Sequence, residues 1–394
     1  MEDTDTDTDT GTDIGTLMSI GAFARRVGLA PSALRFYDDC DVLRPAHVDD
    51  ATGYRYYAPE QQARAVLVRR LREAGVPLTD ASVVLDGTDE EARAVLQEHA
   101  TRARETAASA QVVIEEILRA LPGGTPWTTK AKAKAKAKAK GNAIAKVCVG
   151  GAELASAVRQ VAPAVASGPV GDEFPVLGHI LIEIDGQEVR LVATDRYRLA
   201  VRTLRAISME GDPCHVLIAA SEMKDAAAWA MRMPDVSIEV DREGARLRSG
   251  ARSRTLPTAD ETVLPFPDYR MVLDNFPMTR HRLITDRAAL RTALAEAGYG
   301  DAPIILRTDE QQLALTPGEP APGSDGLMLP AICTGPPLRI AFDPHVLLAV
   351  IEAGVGPDVL LEISSPDQPV VVRSADQGSF TTLVMPVHDA AADK

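Results

Sequence analysis

The stretch that decides the N-terminal fold is SIGAFARRVGLAPSALRFYDDCDVLRP, residues 19–45. Its first apolar residues recur at the i, i+3, i+4 and i+7 spacing of an amphipathic helix, and they are Ile20, Phe23, Ala24 and Val27. Gly28 ends this helix, and Pro31 suits the first turn of a second helix that we expect to run to about Asp39. Two helices joined by about three residues are typical of a helix-turn-helix.

A hairpin is predicted after the second helix. Residues 49–53 (DDATG) carry turn-forming side chains, and residues 54–57 (YRYY) are β-prone. We interpret this hairpin as a β-wing, which is followed by a helix from Pro59 to Ala74 that Gly75 ends.

The second helix and the wing carry side chains suited to DNA. A helix that reads DNA must present polar side chains to a groove from one face. Ser32 and Arg35 are i, i+3 neighbours on the second helix, whereas Leu34 should face inward. The wing adds residues whose side chains suit phosphate contacts, namely Arg44, Arg55 and Tyr56.

In their joint order, three features resemble the mercury-resistance regulator (MerR) family. They are the LRFYD run at 34–38, the Leu-Arg-Pro after it and the GYRYY wing at 53–57. The resemblance covers about residues 19–121. It implies homodimers on a palindromic promoter in double-stranded DNA, acting partly by distorting that DNA, and it leaves RNA polymerase open as a partner. By carry-over, the DNA-contacting residues include Arg35, Tyr37, Arg55 and Tyr56. The alternative is that Tyr37 and Tyr56 are core aromatics.

A long helix over residues 89–121 carries a heptad seam. Its members are Ala92, Leu96, His99, Ala103, Thr106, Ala110, Val113, Ile117 and Ala120. A seam sustained over four repeats favours a coiled-coil homodimer. The alternative is packing of this helix within one chain.

Low-complexity segments flank these elements. Residues 1–18 are acidic and lack aromatic residues, which predicts a disordered tail. Residues 122–147 begin with a helix-breaking Pro-Gly-Gly and continue with a Lys/Ala repeat, which predicts a linker. The lysines form either a charged spacer or a clamp on DNA phosphates that does not read sequence.

The net charge of −14 is unevenly distributed. Residues 19–80 contain nine Arg against eight acidic residues, and residues 130–146 contain seven Lys. Residues 148–394 contain 22 basic and 34 acidic residues, so this region would on average repel a phosphate backbone. Cationic character is therefore confined to the N-terminal third and the linker.

An internal repeat divides the rest of the chain. The Pro-Asp-Val triplets at 234–236 and 357–359 each follow a predicted helix and open a predicted strand. This pattern predicts two α+β units of about 120 residues, at 148–275 and 276–390, each with two helices over several strands.

Three motifs in this region, in order, resemble the β subunit of bacterial DNA polymerase III, the sliding clamp. They are VATDRYRLAV at 192–201, FPDYRMVL at 266–273 and LVMPV at 383–387. The resemblance implies two of the three clamp repeats and a cleft that takes short peptides. By carry-over, the peptide or small-molecule cleft comprises Thr194, Tyr197, Arg198, Leu199, Pro267, Val272, Met385 and Pro386. The alternative is that these residues only close the core between the units. Arg196 stands where the family usually has glycine.

The expected fold is therefore multidomain. An all-α winged helix-turn-helix at 19–80 and a long coiled-coil helix at 81–121 precede the two α+β sliding-clamp-like units. No GxGxxG after a strand, GxxxxGK[ST], HExxH or GxSxG signature occurs, and the four cysteines form no CxxC pair. We therefore expect no enzyme activity, cofactor or metal site. No apolar run of 18 residues occurs, so we expect a cytoplasmic, nucleoid-associated protein that does not bind membranes.

Three functions remain open at this point. The first is a homodimeric transcription regulator whose clamp-like units bind an effector or partner. The second is a replication-linked accessory protein, and the third is an antibiotic-binding self-resistance regulator. A clamp ring needs six units and hence three chains, whereas the N-terminal module should form dimers, so sliding on DNA is disfavoured.

Overall fold

The computed structural model describes residues 17–49, 51–120, 144–241, 244–260, 265–274, 276, 278–296, 302–309, 312–318, 326–374 and 376–389. The acidic tail predicted for residues 1–18 lies outside these ranges except for its last two residues. The predicted linker lies outside them up to residue 143.

The N-terminal domain combines short helices with a small sheet. Its elements in chain order are β1 (Met18–Ser19), α1 (Ile20–Val27), α2 (Pro31–Asp39), β2 (His47–Val48), β3 (Arg55–Tyr57), α3 (Gln62–Glu73), α4 (Leu78–Asp86) and α5 (Asp89–Ala120). The Ser19 side chain caps α1, and Gly28 ends it in the left-handed conformation at φ 71° that suits glycine. The predicted helix-turn-helix is thus confirmed.

The wing is built on a buried tyrosine. Strands β1, β3 and β2 form an antiparallel sheet in that order. Tyr57 of β3 stacks on Phe23 with ring centroids 4.7 Å apart, and its hydroxyl donates to the backbone oxygen of Leu34 at 3.3 Å. One side chain therefore holds α1, α2 and the wing together. Strand β1 and helix α4 were not predicted.

The first α+β unit begins inside the predicted linker range. Its elements are β4 (Ala145–Gly150), α6 (Gly151–Val161), α7 (Gly168–Glu173), β5 (His179–Asp185), β6 (Glu188–Thr194), β7 (Arg198–Arg205), β8 (Ser208–Gly211), β9 (Cys214–Ala219), α8 (Ala220–Ala230), β10 (Asp235–Asp241), β11 (Gly244–Ser249), β12 (Arg252–Leu256), β13 (Thr258–Ala259) and α9 (Arg270–Asp274). Strand β4 starts at Ala145 because Ala145, Val147 and Val149 alternate into the core.

The second unit repeats the arrangement of two helices over strands. Its elements are β14 (His281–Asp286), α10 (Arg287–Glu296), β15 (Ile304–Asp309), β16 (Gln312–Pro317), β17 (Leu327–Thr334), β18 (Leu338–Phe342), α11 (Pro344–Ala353), β19 (Asp358–Ile363), β20 (Val370–Arg373) and β21 (Phe380–Val384). The prediction of two α+β units is confirmed.

One sheet runs through both units. It has thirteen strands in the described residues, and β7 of the first unit pairs antiparallel with β21 of the second, with Leu199 opposite Leu383. A second sheet, in the order β12-β11-β10-β4-β8, closes the first unit. The helices α6 and α8 pack against each other in the first unit, as α10 and α11 do in the second. We call the opposite side of the large sheet its outer face.

The N-terminal domain packs on the outer face of the second unit. Ile284 of β14 and Leu360 of β19 belong to the same hydrophobic cluster as Phe23, Leu34 and Phe36 of the helix-turn-helix. The two domains therefore share a continuous core.

Candidate functional site

The second helix of the helix-turn-helix presents two of the predicted DNA contacts. Ser32 and Arg35 are exposed on α2, and Leu34 between them is fully buried. These three residues thus divide between the surface and the core, as a helix that reads a groove requires.

The wing is fixed to α2 by ion pairs. The Arg55 Nε donates to Asp38 Oδ2 at 2.5 Å, and Arg55 Nη2 lies 3.9 Å from Asp39 Oδ1. Arg55 is therefore already engaged, and its charge is shared with two carboxylates. Tyr56 on the same strand is half-buried, and its ring lies 6.1 Å from that of His47. Arg44 is exposed and pairs with Asp41 at 2.6 Å.

Tyr37 does not reach the surface in this structure. Its side chain is 3% exposed, and burial raises the pKa of its hydroxyl to about 12. The charge of Arg72 acts to lower this pKa, whereas Asp376 and Asp358 act to raise it. Asp376 and Asp358 belong to the second α+β unit. Of the two interpretations of Tyr37, the core aromatic is the one that this conformation has, and a DNA contact by Tyr37 stays a prediction.

The long helix α5 uses part of its heptad seam within the chain. His99 forms a hydrogen bond between its Nε2 and the Ala74 backbone oxygen at 3.0 Å, and Arg102 pairs with Asp80 of α4 at 3.2 Å. Leu96 is 40% exposed and lines an open groove along α5 with Ala92 and Ala100. The side chains predicted for the seam at Thr106, Ala110, Val113, Ile117 and Ala120 lie outside those the structure describes.

One edge of the predicted cleft is a tight turn at Asp195. Its Oδ1 accepts hydrogen bonds from the backbone N–H groups of Tyr197 and Arg198 at 3.0 and 2.9 Å, and its Oδ2 pairs with Arg198 Nε at 2.7 Å. The Thr194 hydroxyl donates to the Arg198 backbone oxygen at 2.8 Å. The turn places Arg196 at φ 80°, the left-handed region that favours glycine.

Met385 closes the same edge. Its backbone N–H donates to the Tyr197 backbone oxygen at 2.7 Å, and Leu199 lies opposite Leu383 on the next strand. The structure therefore brings together the predicted cleft residues of the first and third motifs, and Pro386 follows directly.

The second motif contributes through a tyrosine that we did not predict. Tyr269 is buried, and its hydroxyl donates to Glu183 Oε2 at 2.5 Å. It belongs to an apolar group on the outer face that we call the cleft cluster, comprising Leu181, Val192, Leu199, Leu217, Tyr269, Val371 and Leu383. Pro267 and Val272, which we did predict, are exposed beside it. The aromatic residue in FPDYRMVL was the available signal, because a large apolar side chain anchors a groove better than an exposed proline.

The described part of the chain contains neither a metal-binding group of side chains nor a helix that could cross a membrane. No group of three or more His, Cys, Asp or Glu side chains is arranged to hold a metal ion there. No helix there is long and apolar enough to cross a membrane.

Comparison with known proteins agrees with this division of the chain. Residues 18–88 match the family described as MerR HTH family regulatory protein. Residues 149–253 match the family described as DNA polymerase III beta subunit, central domain. The chain fuses a MerR helix-turn-helix domain to a sliding-clamp-like region. Both recognised families are non-catalytic.

Individual relatives match one part of this fusion each. The "Multidrug-efflux transporter 1 regulator" of Bacillus subtilis is 36% identical over 87 residues, which is 22% of this chain and 31% of that protein. The "Beta sliding clamp homolog GriR" of Streptomyces muensis is 34% identical over 212 residues, which is 51% of this chain and 53% of that protein. This chain thus spans about a third of the length of the regulator and about half of the length of the clamp homologue.

The fold of the clamp-like region is that of solved sliding clamps. A DnaN sliding clamp from Pseudomonas aeruginosa, solved bound to griselimycin, has a TM-score of 0.56 and 22% sequence identity to this chain. The match covers 64% of this chain and 68% of that one, close to the two thirds expected for two of three repeats. The predicted sliding-clamp-like fold is confirmed.

Proposed function

We propose that this protein is a homodimeric transcription regulator that reads a palindromic promoter through its MerR domain. Its clamp-like region is the effector-binding or partner-binding module, and the protein has no catalytic activity of its own. The observation that carries the proposal is the exposed pair Ser32 and Arg35 on α2, beside a wing that Arg55 fixes in place. A helix flanked by a wing is a geometry that docks into the major groove.

DNA contact is assigned to four residues in this proposal. Ser32 and Arg35 would reach base edges or phosphates from α2, and Arg44 and Tyr56 would contact the flanking backbone. Arg55 acts mainly by positioning the wing, since its guanidinium is paired with Asp38. Dimerisation through the groove along α5 that Leu96 lines would place two copies of this DNA-contacting surface on the two half-sites of the palindrome.

Substitution of Arg35 tests the regulator. We expect Arg35→Ala to weaken binding about 10- to 100-fold, because one good arginine contact to a base is worth about 1–3 kcal/mol. The measurement is a footprint and gel-shift titration on duplexes that the full-length protein recovers from fragmented genomic DNA of its source organism. Arg232→Ala is the control, because it removes another exposed arginine, from the clamp-like region. An unchanged footprint with Arg35→Ala contradicts the proposal.

The clamp fold favours a second candidate, a replication-linked accessory protein that docks partner peptides at the cleft cluster. Sequence-blind retention on circular DNA that is lost on linearisation would favour this candidate and contradict the regulator. RNA polymerase is a partner only in the regulator proposal, and both proposals place the protein in the cytoplasm with the nucleoid.

A clamp-directed antibiotic tests whether the cleft binds a ligand. It also tests the third open function, an antibiotic-binding self-resistance regulator. Griselimycin is the probe because it is bound to the P. aeruginosa clamp of the same fold. We expect calorimetry to detect binding that Met385→Ala weakens and that Met231→Ala, an exposed methionine elsewhere, leaves unchanged. Binding that is equal in both variants removes the cleft from the proposal.

A further inference from the structure

One surface of the clamp-like region is occupied by the chain's own DNA-reading domain. Strands β14 and β19 present three pairs of opposite residues on the outer face, and we call the surface that they form the docking face. The pairs are Arg282 with Glu362, Ile284 with Leu360 and Asp286 with Asp358. The alternate residues Leu283 and Leu361 point into the core of the second unit.

The first contact with the docking face is a buried arginine. Arg72, near the end of α3, donates from Nη1 to Asp358 and from Nη2 to Asp376 Oδ2 at 2.8 Å. The side chain of Arg72 is 6% exposed, and that of Asp358 is fully buried. Asp358 Oδ1 also accepts the backbone N–H of Leu78 at 2.7 Å. Removing one partner of such a pair leaves an uncompensated buried charge, so these residues hold the domains together.

The end of α2, the proposed recognition helix, reaches the docking face beside α4, which packs on β14. Phe36 of α2 and Cys40, which follows it, belong to the hydrophobic cluster that includes Ile284 and Leu360. Arg282 Nη2 lies 3.4 Å from Asp39 Oδ1. Because Asp39 also faces Arg55, the docking face engages both α2 and the wing.

The contact reaches the DNA-reading end of α2. A Cβ atom built on Gly378, in the loop after β20, would lie 3.6 Å from Ser32 Cβ. The second unit therefore borders one side of α2 at Ser32 and Asp39, while Arg35 stays exposed. A helix with its side chains is about 10–12 Å wide and the major groove is about 12 Å wide, so a groove that takes Ser32 has no room for the Gly378 loop beside it.

We propose that the docking face is an intramolecular site for the recognition helix that competes with DNA, so that the conformation described here is an autoinhibited one. This inference rests on the proposed function and names its regulation. DNA binding then requires the N-terminal domain to leave the docking face.

The cleft cluster adjoins the docking face. Val371 of the cleft cluster lies opposite Glu362 of the docking face on the neighbouring strand. Arg373 of β20 also pairs with Glu362. Adjacent strands are about 4.7–4.9 Å apart, so an occupant of the cleft acts one strand away from the recognition helix. It shifts the equilibrium if it binds the docked and released states unequally.

A reversible cross-link tests the inference. The Ser32 to Gly378 spacing falls within the Cβ–Cβ range of about 3.5–4.5 Å that disulfides require. We expect the full-length double variant Ser32→Cys, Gly378→Cys to form this disulfide on oxidation without DNA, identified by peptide mass spectrometry. Its oxidised form should bind the recovered genomic duplexes at least about tenfold more weakly than its reduced form, because the locked state is not competent. The single-cysteine variants are the controls for oxidation.

A second variant needs no cysteine. We expect Arg72→Ala to raise DNA affinity several-fold and Arg70→Ala, an exposed arginine on the same helix, to leave it unchanged. Failure of the disulfide to form, or equal DNA affinity for the oxidised and reduced forms, overturns the inference and leaves the proposed function standing. Absence of DNA binding by the wild-type chain and by Arg72→Ala overturns the proposed function, and this inference with it.

Discussion

At the scale of single residues, Arg196 shows how the cleft tolerates an unfavourable backbone. Its φ of 80° is costly for a residue with a Cβ. The turn persists because Asp195 satisfies two successive backbone N–H groups, and because the Arg196 guanidinium lies over the Phe174 ring, 4.8 Å from its centroid. One carboxylate thus enforces a conformation that the neighbouring side chain opposes.

We expect Arg196→Gly to be more stable than Arg196→Ala by about 1 kcal/mol in the free energy of unfolding. Both variants lose the contact with Phe174, but only glycine removes the cost of the left-handed conformation. Urea unfolding followed by circular dichroism measures the difference. Equal stability of the two variants would show that the turn is not strained.

At the scale of elements, α5 divides its surface between two tasks. Its first turns pack on α4, with Arg102 paired to Asp80, while His99 contacts the carbonyl of Ala74. The stripe with Leu96 remains exposed. A helix of 32 residues with an exposed apolar stripe is suited to a second helix of the same kind.

We expect Leu96→Lys to weaken the proposed homodimer more than tenfold, because it replaces a leucine that each chain would bury with a charge, at a cost of roughly 1.5–3 kcal/mol per chain. Sedimentation equilibrium measures the dissociation constant. The control is Ala94→Lys, which places the same side chain on an exposed position of the opposite side of the helix. Equal dissociation constants for the two variants would argue against α5 as the dimer interface.

At the scale of the whole molecule, the cleft cluster and the docking face lie next to the junction of the two clamp-like units. The β7–β21 pairing joins the two clamp-like units, the cleft cluster lies over this junction, and the docking face adjoins it. The second unit thereby contacts both the recognition helix and the cleft. This arrangement gives the chain a physical route between the proposed ligand site and the proposed DNA-reading site.

The docked arrangement should depend on pH. Burial raises the pKa of Asp358 from 3.8 to about 6. The charge of Arg72 opposes this rise, and that of Asp286 adds to it. The other titratable groups close by are Asp376 and Tyr37. Between about pH 4 and 6 the docked state holds a proton that the released state lacks. Docking therefore weakens as pH rises through this window and is constant above it.

Small-angle scattering of the full chain measures this change. We expect the population of extended conformers to grow from pH 4.5 to 6.5 in the wild type. Asp358→Asn, which cannot titrate, should show a much smaller change. A decrease in extended conformers over this range in the wild type would contradict the prediction.

Local patterns were enough for the kinds of domain and for most elements of the N-terminal domain, but not for β1 and α4. Helical spacing at 20–27, the turn at 49–53 and the repeated Pro-Asp-Val triplets each depend on neighbouring residues, so they predict the helix-turn-helix, the wing and the two units. The cleft stays a prediction, and the structure adds Tyr269 to its apolar cluster while Pro267 and Val272 lie exposed beside it.

What the sequence by itself determined is therefore a winged helix-turn-helix followed by two α+β units, because periodicity and turn chemistry are local. The clamp-like character of those units followed from the resemblance of three motifs. Only the tertiary structure decided that Tyr37 is buried, that Arg72 pairs with Asp358 and that the end of α2 reaches the docking face through Asp39. These contacts join residues up to about three hundred positions apart. They depend on the packing of one domain on another, which no local pattern encodes.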